Sequence, residues 1–426
     1  MLKIDKVKYS DSGKKINYLY RYSKGISKYF NSKESFYCHY DIDVSEISES
    51  IAIIPFLANI APIAWFAGFS IELNEVDKDF IEALEIIKNE FSNDYPNIDF
   101  SCSKIQAKKL VKNNYVATES AMLFSGGVDA YATYFRHYKE NPDLITVHGA
   151  DVEIEDVKQW NRVVQLNENE ELLKKNIKHY IKSNLRDFYS HKVDLLLPDL
   201  GWWGKVQHGL ALNGLIAPIS VVNNYKINYI ASSYTDNIDI SWGSTPSLDN
   251  SIKWGCTNIN HDGYDLKRQS KIDLIVKSTR ELDKYINLRV CYSILNRSVN
   301  CSKCEKCYRT IIAIILNNDD PNKYGFDINQ NVYDDILLGF SAGFSSKGVQ
   351  YFWWEIHEKI IQVKKFFVFK DEEVEYNKIL ELQYLINKNL KNGLKKKSKI
   401  RMLKFKIQNT FPNLFKLYLK IRQRNL

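Results

Sequence analysis

Between residues 121 and 233 short apolar runs alternate with amphipathic stretches, and this alternation leaves few folds open to the chain. AMLFS (121–125), DLITVHG (143–149), IKHYIKS (177–183) and INYIASS (227–233) read as strands. AYATYFRHY, VKQWNRVVQ and VQHGLALNGLIAPISVV lie between them with helical spacing. Such alternation predicts an α/β fold with a parallel sheet and helices on both faces. Ligands of such sheets bind beyond the carboxyl ends of the strands.

The 426 residues are too many for one compact unit of usual size, and three domains are expected: 1–115, 116–330 and 331–426. The first reads as a small α+β domain. Phe36, Cys38, Tyr40, Ile42 and Val44 form one face of a strand, and Phe80, Leu84, Ile87 and Phe91 recur at helical spacing after a candidate N-cap, Asp77. Ile51 to Ile71 carries no charge and is long enough to span a bilayer. Its prolines, Asn59 and Gly68 favour a strand followed by a short buried helix. The third domain reads as a helical extension, YFWWEIHEKIIQVKKFF, followed by a basic tail.

Charge separates the tail from the rest. The chain carries +8, but Lys391 to Leu426 holds twelve Lys or Arg and no acid, so residues 1–390 carry minus four. Apolar residues recur every three or four positions in the tail, which suits an anionic surface such as lipid, RNA or an acidic protein, or a helix docked on the chain's own acidic body. The first residues lack the apolar core of a secretory signal, so a cytoplasmic location is expected, peripheral to a membrane where the tail binds lipid. A homo-oligomer is also compatible with the sequence.

Ser125-Gly126-Gly127-Val128-Asp129 falls where a strand ends and a helix begins. Adjacent glycines let the backbone approach a polyphosphate, and the amides of a helix N-terminus offer donors and positive potential to its oxygens. Ser125 adds a hydroxyl, and Asp129 suits a Mg2+ ion bridging to the phosphates. There is no GxxxxGK[ST] motif, which argues against a kinase-type loop.

Cys291, Cys301, Cys304 and Cys307 are separated by nine, two and two residues. In a chain without an export signal this spacing points to a metal, with zinc favoured over an iron–sulfur cluster.

LFSGGVDA resembles the SGGxDS signature of the PP-loop, or N-type, ATP-pyrophosphatases, with Ala130 in place of the final serine, so that one hydroxyl donor to pyrophosphate is missing. A PP-loop followed by this cysteine cluster resembles the 7-cyano-7-deazaguanine synthase family of queuosine biosynthesis, over about residues 116 to 320. The resemblance implies an adenine nucleotide alpha-hydrolase-like fold, a zinc site at the four cysteines, and ATP with Mg2+. It implies cleavage of ATP to AMP and pyrophosphate to activate a small-molecule substrate, a carboxylate, for amide or nitrile formation. ATP is then expected at Phe124, Ser125, Gly126, Gly127, Val128 and Asp129, and at the strand ends His148, Gly149, Ser232 and Ser233, with Ser125 and Asp129 catalytic. Tyr234, Asn184, Arg186, WGSTPSLD (242–249) and His261-Asp262-Gly263 are further candidates near that edge. Two other readings stay open: sulfur transfer to a tRNA base through a persulfide on Cys38, Cys102 or Cys256, and a non-catalytic ATP- or partner-binding relative.

Overall fold

The computed structural model describes residues 1–31, 34–291, 299–340, 344–363, 368–369, 371–392, 405–407 and 410–411. Most of the basic tail lies outside the described residues. Contacts divide the chain into two compact units, Met1–Leu196 with Trp202–Ile286, and Leu197–Gly201 with Asn287–Leu426.

The first unit is built on an eleven-stranded sheet. Its strands are β1 (Leu2–Ser10), β2 (Lys15–Tyr22), β3 (Tyr37–His39), β4 (Ile71–Asp77), β5 (Ile105–Val111), β6 (Glu119–Leu123), β7 (Asp143–His148), β8 (Lys178–Ser183), β9 (Tyr225–Ala231), β10 (Lys253–Trp254) and β11 (Thr257–Asp262). They lie in the order β10-β11-β9-β6-β7-β8-β3-β2-β1-β4-β5. The strands from β11 to β8 are all parallel, and so are β1, β4 and β5. From β6 the chain runs outward through β7 and β8, then returns to β9 and β11 on the other side, so the strand order reverses at β6. Open α/β sheets place ligands at such a reversal.

The helices of this unit are α1 (Glu49–Ala52), α2 (Ile54–Ala67), α3 (Lys78–Asp94), α4 (Val128–Arg136), α5 (Val157–Asn169), α6 (His208–Gly214), α7 (Ala217–Val222), α8 (Pro246–Asp249) and α9 (Arg268–Leu282). They cover both faces. Tyr229 of β9 stacks on His137, just after α4, at 3.7 Å, while its neighbour Asn228 points to the other face and donates to Asn213 of α6. The parallel sheet expected between residues 121 and 233 is therefore present, larger than the sequence suggested.

Two expectations change. The apolar stretch from Ile51 forms a helix first and a strand after it, the reverse of the predicted order. Every residue of α2 from Ile54 to Phe66 is buried, as expected of a helix apolar all round. With 14 residues it is about 21 Å long, short of a bilayer core, and no helix among the described residues is long and apolar enough to cross a membrane. Pro55 stands in its first turn, and the left-handed Gly68 (φ 71°) ends it before β4.

The domain boundaries at 115 and 330 do not coincide with the two units. Antiparallel pairing of Cys38 with Ser183 and His39 with Lys182 joins the N-terminal strands to the parallel ones, so residues 1–115 share one sheet with the segment that carries Ser125 to Asp129. The cysteines, in turn, belong to the second unit. There α10 (Glu305–Ile315), α11 (Val332–Phe340), α12 (Lys347–Gln362) and α13 (Glu372–Asn392) carry the apolar face, with α13 packed on α11 and α12. Trp353 donates its indole N–H to Glu305 at 3.0 Å, tying α12 to the start of α10.

Candidate functional site

The loop after β6 is anchored from beneath. The Phe124 amide donates to the Ile145 carbonyl, Thr146 Oγ1 donates to the Phe124 carbonyl, and Asn167 Nδ2 donates to Thr146 Oγ1, all buried. The Phe124 ring meets Tyr131 edge-on at 5.0 Å, and Val128 is buried. These two side chains are core. Gly126 takes a left-handed φ of 73°, and the extended Gly127 leads into α4 with its amide on Ser125 Oγ at 3.3 Å. The turn that sequence predicted is therefore formed, with its amides at the start of α4.

Asp129, expected to suit a Mg2+ ion, is held by two cations. Its Oδ2 accepts from Arg268 Nη1 at 3.0 Å, and its Oδ1 accepts from Lys271 Nζ at 3.2 Å. Both oxygens face cations of α9, which neutralise the carboxylate and would compete with a metal for it. Lys271 is buried to 2 % side-chain exposure and also donates to the Ser232 carbonyl. Asp129 and Ser232 thus meet at Lys271.

Arg268 and Lys271 were absent from the sequence reading, yet one signal was there. Both lie in the first turn of α9, which holds no acid. Positive charge at a helix N-terminus opposes the helix dipole, so two cations three residues apart imply a partner, and the partner is Asp129.

The other strand-end residues divide. The His148 ring stacks on Trp160 at 4.4 Å and bonds the Glu153 carbonyl at 3.1 Å; burial lowers its pKa. Its side chain is committed to packing. Gly149 is at φ 106°, where a Cβ would stand 1.9 Å from the Ser183 carbonyl oxygen, which accounts for the glycine. Ser232 donates its hydroxyl to the Tyr234 carbonyl, and Ser233 is half-buried beside it. Asn184 ties Tyr37 and Ser35 to the end of β8 and is a structural residue.

An aromatic cluster stands beyond the strand ends. Arg186 lies 4.9 Å over Trp203, which meets His208; His208 meets Trp242, and Trp242 meets Tyr234. Trp203–Gln207 forms a π-helical turn, a geometry frequent at functional sites. Ser244 and His261 both donate to Asp249 Oδ2, at 2.6 and 2.7 Å, in a fully buried network.

In the second unit the four cysteines converge. Their sulfurs lie within 4.8 Å of one another, with Cys291 to Cys304 and Cys301 to Cys307 at 3.8 Å and Cys304 to Cys307 at 3.5 Å. Tetrahedral bonds of about 2.3 Å to one Zn2+ require sulfurs roughly 3.8 Å apart, so the donors fit a single ion. An iron–sulfur cluster spreads its thiolates over several irons and fits less well. Crowding shows in the thiols as well. The hydrogen bond to Cys291 pushes Cys304 up to about 12, and Cys307 lies higher still for the same reason, so four thiolates need a cation between them.

Local structure explains the convergence. Cys304 caps α10, its amide donates to Cys301 Sγ at 3.2 Å, and Cys307 follows in the first turn. Asn300, which sequence reasoning did not mark, accepts from the amides of Val290 and Cys291 and donates to the carbonyls of Leu288 and Gly325. It fixes Cys291 against Cys301 across nine intervening residues. The group can hold a metal ion such as zinc.

Compared with known proteins, the chain matches no family model, no curated protein and no solved structure.

Proposed function

We propose that the chain is a PP-loop ATP-pyrophosphatase that cleaves ATP to AMP and pyrophosphate to activate a carboxylate substrate for amide or nitrile formation. In this reading its sheet is of the adenine nucleotide alpha-hydrolase-like kind. The observation that carries it is the glycine turn at the strand-order reversal, with Arg268 and Lys271 brought to Asp129 at the first turn of α4. The turn amides and the two cations suit the charge that builds on a departing pyrophosphate, and fixed charges in a shielded site stabilise it more than water does. Asp129 acts here by positioning Arg268 and Lys271. Magnesium travels with ATP as its counter-ion; no ligand for it is assigned.

Sulfur transfer is less well served. Burial raises the Cys38 thiol to about 12, and the hydrogen-bonded Asp99 carboxylate raises that of Cys102, so neither favours a thiolate.

Product chromatography after incubation with Mg-ATP and a panel of carboxylic acids tests the reading. AMP and pyrophosphate are expected, and Lys271→Met should lower turnover by roughly 100-fold while the protein stays folded. ADP among the products, or a Lys271→Met protein as active as the parent, rejects it.

A further inference from the structure

Within the second unit lies a cavity of about 290 Å3 that the proposed ATP chemistry does not use. It is framed by α10, α11 and α12, and four aromatic side chains line it: Tyr308, Phe340, Phe344 and Trp353. The walls are well packed. Phe340 meets Trp353 edge-on at 4.5 Å and Phe344 edge-on at 5.7 Å, and all three are buried. Gly339 of α11 widens the space. Its helical backbone does not require glycine, yet a Cβ there would stand 3.5 Å from Tyr308, so the missing side chain leaves that wall bare.

Two side chains of opposite charge complete the lining, Lys303 and Glu305. Lys303 is exposed, and its ammonium has no partner among the described residues. Glu305 accepts the Trp353 indole N–H on Oε1 at 3.0 Å, with Arg309 Nε 3.7 Å from the same atom. Its Oε2 has no partner among the described residues, and the side chain is 40 % exposed. The indole thus holds the carboxylate in place and leaves one oxygen for a donor. An aromatic interior stands beside one available cation and one available anion.

We propose that this cavity binds a free aromatic α-amino acid. Such a zwitterion presents a carboxylate to Lys303 and an ammonium to Glu305 Oε2, and its ring joins rings that favour edge-on and offset contacts. Small-molecule sites are built this way, from apolar walls and a few polar groups that fix orientation. Ligands with a single charge fit worse. A simple acid would set its carboxylate beside Glu305, and a simple amine its ammonium beside Lys303, each with a like charge at hand. The volume stands at the lower end of small-molecule sites, which suits one ring and its backbone atoms.

Titration calorimetry on the full chain with L-tryptophan, indole-3-propionate, tryptamine and glycine tests the site. L-Tryptophan should bind in the millimolar range or tighter, the two singly charged indoles more weakly, and glycine not at all. Lys303→Met and Glu305→Gln should each weaken L-tryptophan by about fivefold. The loss should follow the charge removed: Lys303→Met should not weaken tryptamine, and Glu305→Gln should not weaken indole-3-propionate. Gly339→Leu should fill the cavity and abolish binding, with thermal unfolding and zinc content used to verify that each variant folds. Should Gly339→Leu not fold, the two charge variants decide. Absence of L-tryptophan binding at about 10 mM, equal binding of either singly charged indole, or charge variants that bind L-tryptophan as well as the parent would overturn the proposal. None of these outcomes bears on ATP cleavage, which is read separately.

Discussion

His137 shows how one side chain senses its setting. Burial opposes its protonation, but hydrogen bonds to Asp262 and Glu140 outweigh that and raise its pKa above 6.5. A raised folded-state pKa adds stability that is complete below the unfolded value and is lost as pH rises through the folded one. His137→Gln should therefore lower the melting temperature most at about pH 6 and progressively less toward about pH 9. A deficit that stays constant over that range would mean the imidazolium contributes nothing. At this scale the sequence was legible where neighbours in the chain make the geometry, as in Ser125 to Asp129 and the CxxCxxC run. It was illegible where partners come from afar: Arg268 and Lys271 stand 139 and 142 positions from Asp129. The packing of His148 was illegible for a related reason, since its stacking partner Trp160 sits on the next helix.

Among the elements, helix caps and strand alternation were read well, and element order under uniform hydrophobicity was not. Asp77 caps α3 by accepting from the Phe80 amide, as its spacing implied. In α2 no polar face exists to give a period, so strand and helix could not be told apart. The start of α10 carries a testable consequence. Asn300→Ala would leave the amides of Val290 and Cys291 and the carbonyls of Leu288 and Gly325 without their side-chain partner. The loss is expected to cost about 1–3 kcal/mol and to weaken metal retention by about tenfold. Elemental analysis should find about one zinc per parent chain. Competition with a chromogenic chelator then ranks the variant, and a metal-free folded parent would remove the site.

For the whole molecule, the domain plan was the least legible part, because β3 joins two segments through main-chain hydrogen bonds that no side-chain pattern announces. We propose that the basic tail engages an anionic surface, a reading that rests on its twelve cations and lack of acids. Removing residues 391–426 should abolish co-sedimentation with phosphatidylserine vesicles at low salt and leave ATP cleavage intact. Equal sedimentation of both proteins would reject that role.

The long sheet has two outer margins, and each is guarded. On one side β10 is only two residues long; on the other, β5 bears Lys108 and Lys109, which hold Asn74 and Glu75 of the adjoining strand. Short margins and lysines discourage a further strand from zipping on. Fibril-like stacking of copies is thus disfavoured from either end, which leaves the helices and loops as the better surfaces for any assembly of several chains.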